Sequence, residues 1–251
     1  MEIVHIEYHE DVACMKLARS ITNPLNLQLI NELSETLRKV NQDSHIQSIV
    51  LTSSNEKFFS IGFDVRELYT LSRADFAAFY RAFNRFCIDL YTVQKPTVAA
   101  ITGHAIAGGC ALTLCCDYRY IAEGRKLMGF NVVRLGLPVP YLVGCILHDV
   151  VGMRVARNIA DSGEFYSSDQ LLEMGLVDCV VPQEEVIPRA VEKAHLLAAL
   201  PQKAFAATKR YRTERIEAQI SAHLAEKEQL FINCWFSDET RNLIRKAMEK
   251  F

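Results

Sequence analysis

The sequence predicts an α/β fold, and three observations carry that prediction. Ser48 to Ser54, and the apolar run that follows Pro96, are continuous enough to be parallel strands buried on both faces. Each leads through glycine into a stretch that reads as the start of a helix: Gly62 in the first case, Gly103 and then the pair Gly108-Gly109 in the second. From Pro182 onward the composition shifts to helix formers.

The chain opens with a predicted hairpin, Ile3 to Tyr8 and Val12 to Leu17, around His9-Glu10-Asp11. The turn Thr22-Asn23-Pro24 leads to Asn26, a predicted N-cap for a helix ending near Asn41. With the strand at Ser48 this makes a strand–strand–helix unit, which recurs loosely through the first two-thirds of the chain. Leu71 to Val93 is predicted helical, with aromatic residues at Phe76, Phe79, Tyr80, Phe83, Phe86 and Tyr91 that suit either a core or a pocket wall. Tyr118 to Ala122 reads as a strand, and Pro138 to Val151 as a loop then a helix. Helices are predicted over Glu184 to Leu197, over Gln202 to Lys227, and from the Ser237-Asp238-Glu239 start to Phe251. The stripe containing Phe231 and Trp235 fits a core cover or a subunit contact.

Composition narrows the function classes. The chain has 251 residues, 50% hydrophobic and 23% charged, with a formal net charge of -2, so nothing marks it as a nucleic-acid or membrane binder. The small basic cluster Lys209-Arg210 with Arg212 reads as a solvated helix face, with contact to a phosphate as the other reading. Eight cysteines show no CxxC or zinc spacing and several lie in apolar runs, which suits core thiols in a reducing compartment and no metal. Cys110 stands apart because a helix N-terminus lowers a thiol pKa, which leaves a nucleophilic role open there. The first residues carry no signal-peptide pattern and the last no peroxisomal tripeptide, so a cytoplasmic location is expected.

The glycine junctions carry the chemistry. The first turn of a helix presents unpaired N–H groups and the positive end of its dipole, and glycine lets a ligand approach them. Two such junctions can supply one N–H each to a shared oxygen that gains negative charge. Gly108-Gly109 is equally compatible with tight strand–helix packing alone.

Phe58 to Leu68 and Lys95 to Asp117 resemble the two signature regions of the crotonase (enoyl-CoA hydratase/isomerase) superfamily. Gly129 to Pro140 is similar to its third region, and Asp161-Ser162-Gly163-Glu164 through Gly175-Leu176-Val177-Asp178 to its fourth. The resemblance implies a crotonase-like spiral of strand–strand–helix units over residues 1–185 and a helical C-terminal region, 186–251, that builds homotrimers, in some members paired into hexamers. It implies an acyl-CoA substrate, no separate cofactor, and a role in fatty-acid metabolism. It places the backbone oxyanion hole on Phe63 and Gly108, and substrate contacts on Ser60, Ile61, Gly62, Phe63, Asp64, Gly108 and Asn131.

The departures from the family pattern bear on the reaction. Hydratases of the family use two glutamates, and the matching positions here are Ala111 and Val132; the isomerases keep the second of these, where Val132 stands after Asn131. Tyr141 and Asp64 are the candidates for a replacement acid or base, ahead of His104 and His148. Gly108-Gly109-Cys110, Cys116-Asp117-Tyr118-Arg119 and Asn131 bring the pattern nearest to the Δ3,Δ2-enoyl-CoA isomerases, so the expected activity is a double-bond shift through an oxyanion-stabilised dienolate. A decarboxylase on the same enolate and a non-catalytic acyl-CoA-binding protein are the alternatives.

Overall fold

The opening hairpin forms as predicted. β1 (Val4–His9) pairs antiparallel with β2 (Val12–Leu17), from Val4 opposite Leu17 to His9 opposite Val12, and Glu10 takes φ +53° in the turn. The computed structural model describes residues 2–249, so Met1, Lys250 and Phe251 lie outside the described residues, including the end of the helix predicted to reach Phe251. Asn26 caps α1 (Leu27–Gln42) by accepting a 3.0 Å hydrogen bond from the Leu29 N–H, which satisfies one of the helix's orphan donors.

The chain then alternates between two sheets. β3 (Ser48–Ser53) joins the first and β4 (Phe58–Ser60) the second; after α2 (Val65–Tyr69) and α3 (Arg73–Thr92), β5 (Thr97–Ile101) returns to the first and β6 (His104–Ile106) to the second. α4 (Gly108–Leu114) follows, then β7 (Tyr118–Ala122) and β8 (Leu127–Gly129), one in each sheet. A 3-10 turn at Val132–Leu135 precedes α5 (Tyr141–Ser162), which is broken at Gly152, φ +74°. β9 (Phe165–Ser167), α6 (Ser168–Glu173) and β10 (Cys179–Val181) complete the sheets, whose strand orders are β1-β2-β3-β5-β7-β10 and β4-β6-β8-β9. This is the spiral of strand–strand–helix units expected from the resemblance. The three-residue strands of the second sheet are not among the elements that the sequence predicts.

Period-two alternation explains how the first sheet is buried on both faces. Ala13, Met15 and Leu17 of β2, with Ile49 and Leu51 of β3, face the main core; Val12, Cys14 and Val50 face the other way. That second face is covered by α7 (Val186–Ala198), which supplies Val186, Ala190, Ala194 and Leu197. α8 (Gln202–Trp235) runs eight residues past its predicted end and returns Phe231, Ile232 and Trp235 to the main core, so that stripe covers the chain's own interior. α9 (Asp238–Met248) starts at Ser237, whose side chain accepts from the Thr240 N–H. Among the described residues no helix is long and apolar enough to cross a membrane.

One expectation is overturned here. Lys209 is not part of a solvated face: its side chain is 2% exposed and its Nζ lies 2.8 Å from Asp117 Oδ2 and 3.2 Å from the Lys95 carbonyl oxygen. Asp117 also accepts from the Thr97 N–H and hydroxyl and from Arg212. Burial alone would raise the Asp117 carboxyl, but the two cations and the Thr97 donor outweigh it and hold it below its ordinary value. The amphipathic pattern of α8 shows where lysines lie along the helix; it cannot show that a carboxylate from the turn between α4 and β7 waits beneath one of them.

Candidate active site

The two glycine junctions converge main chain to main chain. A Cβ on Gly62 would stand 2.8 Å from the Gly108 nitrogen, and one on Gly109 would stand 2.4 Å from the Ser60 carbonyl oxygen. Only glycine permits that approach, and Gly62 also needs φ +84°. Both readings of Gly108-Gly109 therefore hold together: the glycines allow close packing, and close packing brings the two junctions to one place.

Pairing with the loop at Thr22–Leu25 aims the first junction. The Leu25 N–H donates to the Gly62 carbonyl at 2.7 Å and the Asp64 N–H donates to the Leu25 carbonyl at 2.8 Å. In an extended strand the residue between two such contacts turns its own N–H to the opposite side, so the Phe63 N–H points away from Leu25. The Gly108 N–H opens α4, where the helix has no internal acceptor for it. Among the described residues, neither the Phe63 nor the Gly108 N–H has a hydrogen-bond acceptor.

Ala107 sets the angle of the second junction. It adopts φ +49°, ψ -109°, close to the first corner of a type II′ turn, a conformation that costs a non-glycine residue about 1–3 kcal/mol. Its N–H is tied to the Gly129 carbonyl at 2.9 Å, and Gly129 itself has no room for a side chain because a Cβ would meet the Glu164 oxygen at 2.4 Å. Strain at Ala107 is thus held in place by the second sheet.

Between the junctions lies a cavity of about 30 Å³. Phe63, Ala107 and Gly108, from the two junctions, line it together with Ala111 and Val132. Phe130, Leu137, Pro140 and Phe231 close it. No titratable side chain lines it. Ala111 and Val132, the positions that match the family's glutamates, both line this cavity, and they bring no carboxylate to it.

The replacement candidates lie elsewhere. Asp64 caps α2 by accepting from the Glu67 N–H at 3.1 Å and is paired with Arg19 at 2.7 Å, a loop-ordering role outside the cavity lining. Tyr141 begins α5, packs edge-on to His223 at 6.1 Å, and is not a cavity wall; desolvation holds its phenol above its ordinary value against contact with Gln219. His104 accepts from the Leu127 N–H at 3.0 Å through Nδ1, and desolvation keeps it below its ordinary value, hence neutral. His148 is exposed on α5. Cys110 is wholly buried, and that burial pushes its thiol up to about 12, so desolvation outweighs the helix N-terminus on which a nucleophilic role rested.

The expected substrate contacts divide in the same way. Ser60 is buried and fully used inside the junction, its hydroxyl donating to the Asn23 carbonyl at 2.7 Å and accepting from the Gly62 N–H at 3.1 Å. Ile61 is 37% exposed and outside the lining, while half-buried Asn131 opens the turn that carries Val132. Sequence reading missed the residues that hold the first junction. Asn23 is buried at φ +44°, accepts from the Arg19 N–H, and donates to Ser53 Oγ and the Phe59 carbonyl. Arg19 bridges the Pro24 carbonyl to Asp64 and Glu67. The only signal was Asn23's place before Pro24, which reads as an ordinary turn. Among the described residues no group of His, Cys, Asp or Glu is placed to hold a metal ion.

Residues 7–251 match the family described as enoyl-CoA hydratase/isomerase. The chain is 33% identical over 250 residues to enoyl-CoA delta isomerase 1, mitochondrial, of Mus musculus, covering 99% of this chain and 85% of that protein. It is 26% identical over 250 residues to the crotonyl-CoA hydratase of Syntrophomonas wolfei, covering 99% and 96%. The crystal structure of human mitochondrial delta3-delta2-enoyl-CoA isomerase superposes with a TM-score of 0.95 at 28% identity, over 99% of this chain and 98% of that one. The chain belongs to the enoyl-CoA hydratase/isomerase family.

Proposed function

We propose that this protein binds enoyl-CoA thioesters with the thioester oxygen on the Phe63 and Gly108 amides, and that it shifts a double bond by stabilising the dienolate there. The single observation that carries this reading is the pair of acceptor-free N–H groups on converging junctions beside a small apolar cavity. Likeness to the mouse isomerase supports the choice of reaction within the family. In a site shut off from water such donors favour the charge that develops on oxygen, and each is worth about 2.7–4 kcal/mol of barrier.

With Ala111 and Val132 in place of carboxylates, the proton must move without a side-chain base, and a positioned base contributes about 10²–10⁴ in rate. The wild type is therefore a slow isomerase. Incubating a 3-enoyl-CoA with protein at comparable concentration tests this: the thioester binds and is slowly converted, and Val132→Glu accelerates conversion by about 10²–10⁴-fold. If the wild type neither binds nor converts it, the proposal is wrong. If it binds without converting and Val132→Glu turns over, the wild type is an acyl-CoA binder that lacks its base.

The base-free lining favours one second reading. Decarboxylation of a malonyl-type thioester breaks a carbon–carbon bond, leaves its electron pair on the enolate and releases carbon dioxide, with no basic group required. Carbon dioxide release from a panel of malonyl-type thioesters separates this reaction from isomerisation.

A further inference from the structure

The aromatic residues of α3 and α8 interleave into a ladder that ends at the cavity. Trp235 stacks on Phe76 at 4.3 Å and 18°, Phe76 lies parallel to Tyr80 at 6.2 Å and 8°, and Tyr80 stacks on Phe231 at 4.2 Å and 11°. Phe231, the last rung, is a wall of the cavity. Phe63, a second wall, meets Phe231 edge-on at 6.4 Å and is itself held edge-on by Phe79 and Phe83, each at 4.9 Å. Phe231 and the rings behind both walls are at most 2% exposed, so none has solvent to retreat into. The two helices are also tied at their flanks, by Asn84 donating to Glu228 at 2.9 Å and by Arg73 bonded to Asn233.

Rings packed face to face and edge to face give way only when their neighbours move with them. The space they leave is about 30 Å³, and one water-sized group needs about 10–15 Å³. That is room for two or three such groups between the junctions, far below the several hundred Å³ of a pocket for an extended ligand.

We infer that this chain takes CoA thioesters of short acyl groups, up to about four carbons, four being the fewest a 3-enoyl group can have, and that Phe231 sets the limit. The inference rests on the acyl-CoA reading above and adds to it the class of acyl group.

Isothermal titration of the wild-type protein with acetyl-, butyryl-, hexanoyl- and octanoyl-CoA, with free CoA as reference, tests the length limit without any variant. The affinity of acetyl- and butyryl-CoA is expected to match or exceed that of free CoA, and affinity is expected to fall at least about tenfold between butyryl- and octanoyl-CoA, as for any overpacked cavity. Phe231→Leu and Phe231→Ala, each checked for native packing by near-ultraviolet circular dichroism, are expected to move that fall to longer chains. Affinity that rises with length through octanoyl-CoA in the wild type overturns the length limit and leaves the acyl-CoA reading standing. A natively packed Phe231→Ala protein with an unchanged length profile removes Phe231 from the role. Failure of every thioester and of free CoA to bind removes the acyl-CoA reading itself, and the inference with it.

Discussion

Main-chain donors cannot be deleted by changing their side chains, but the contact between the junctions offers a way to displace one. The methyl of Gly62→Ala would stand 2.8 Å from both the Gly108 nitrogen and the Ile106 carbonyl oxygen, main-chain atoms that cannot rotate away. Alanine at φ +84° costs about 1–2 kcal/mol, and clearing the contact adds about 1–3 kcal/mol. Gly124→Ala is the internal control, because Gly124 has the same φ of +84° and a Cβ there meets nothing within 4 Å. In a chain of this size about 1 kcal/mol shifts Tm by about 2–4 °C, so Gly62→Ala should lower Tm by roughly 4–20 °C and Gly124→Ala by roughly 2–8 °C. The decisive assay compares a CoA thioester with the corresponding thioether, which lacks the carbonyl oxygen. Two neutral hydrogen bonds together contribute about 1–3 kcal/mol, so wild type should prefer the thioester by about 5- to 150-fold. Gly62→Ala should cut that preference by about two- to tenfold, and Gly124→Ala should leave it alone. A Gly62→Ala protein that is destabilised yet keeps the full preference would refute the assignment of the carbonyl to these amides.

Two further predictions concern the interior. Lys209→Met leaves the buried Asp117 carboxylate without its buried partner and should cost about 3–5 kcal/mol in urea unfolding, whereas Arg212→Met, on a side chain that is 50% exposed, should cost less than about 1 kcal/mol. With its thiol pushed up to about 12, Cys110 is thiolate to only about one part in 10⁴ at pH 8. Iodoacetamide followed by peptide mass spectrometry should therefore modify the partly exposed Cys179 and Cys234 in the native protein and reach Cys110 only after unfolding.

What the sequence disclosed follows from the range of the forces involved. Asn26 and Ser237 announce their helices because a cap is settled within three residues, and β3 is recognisable because six consecutive buried residues leave a pattern. β4, β6, β8 and β9 are three residues each, too short for any period, and only their mutual pairing makes them strands. Both glycine junctions could be named, yet the approach of Gly62 to Gly108 belongs to tertiary packing, as does the use of Phe231 as a cavity wall. Ala111 and Val132 were legible as departures only through the family pattern; as residues alone they are ordinary apolar side chains, one buried and one half-buried.

The proposed grip on a carbonyl is made of peptide groups, held by a strained alanine and by glycines with no room to grow. It is therefore a property of the folded chain as a whole, renewed whenever the polypeptide closes its spiral. The few positions whose side chains touch the cavity can vary without dismantling it. The proposed site separates the holding of a substrate from the choice of chemistry, and a single substitution at residue 132 is expected to change the second while leaving the first intact.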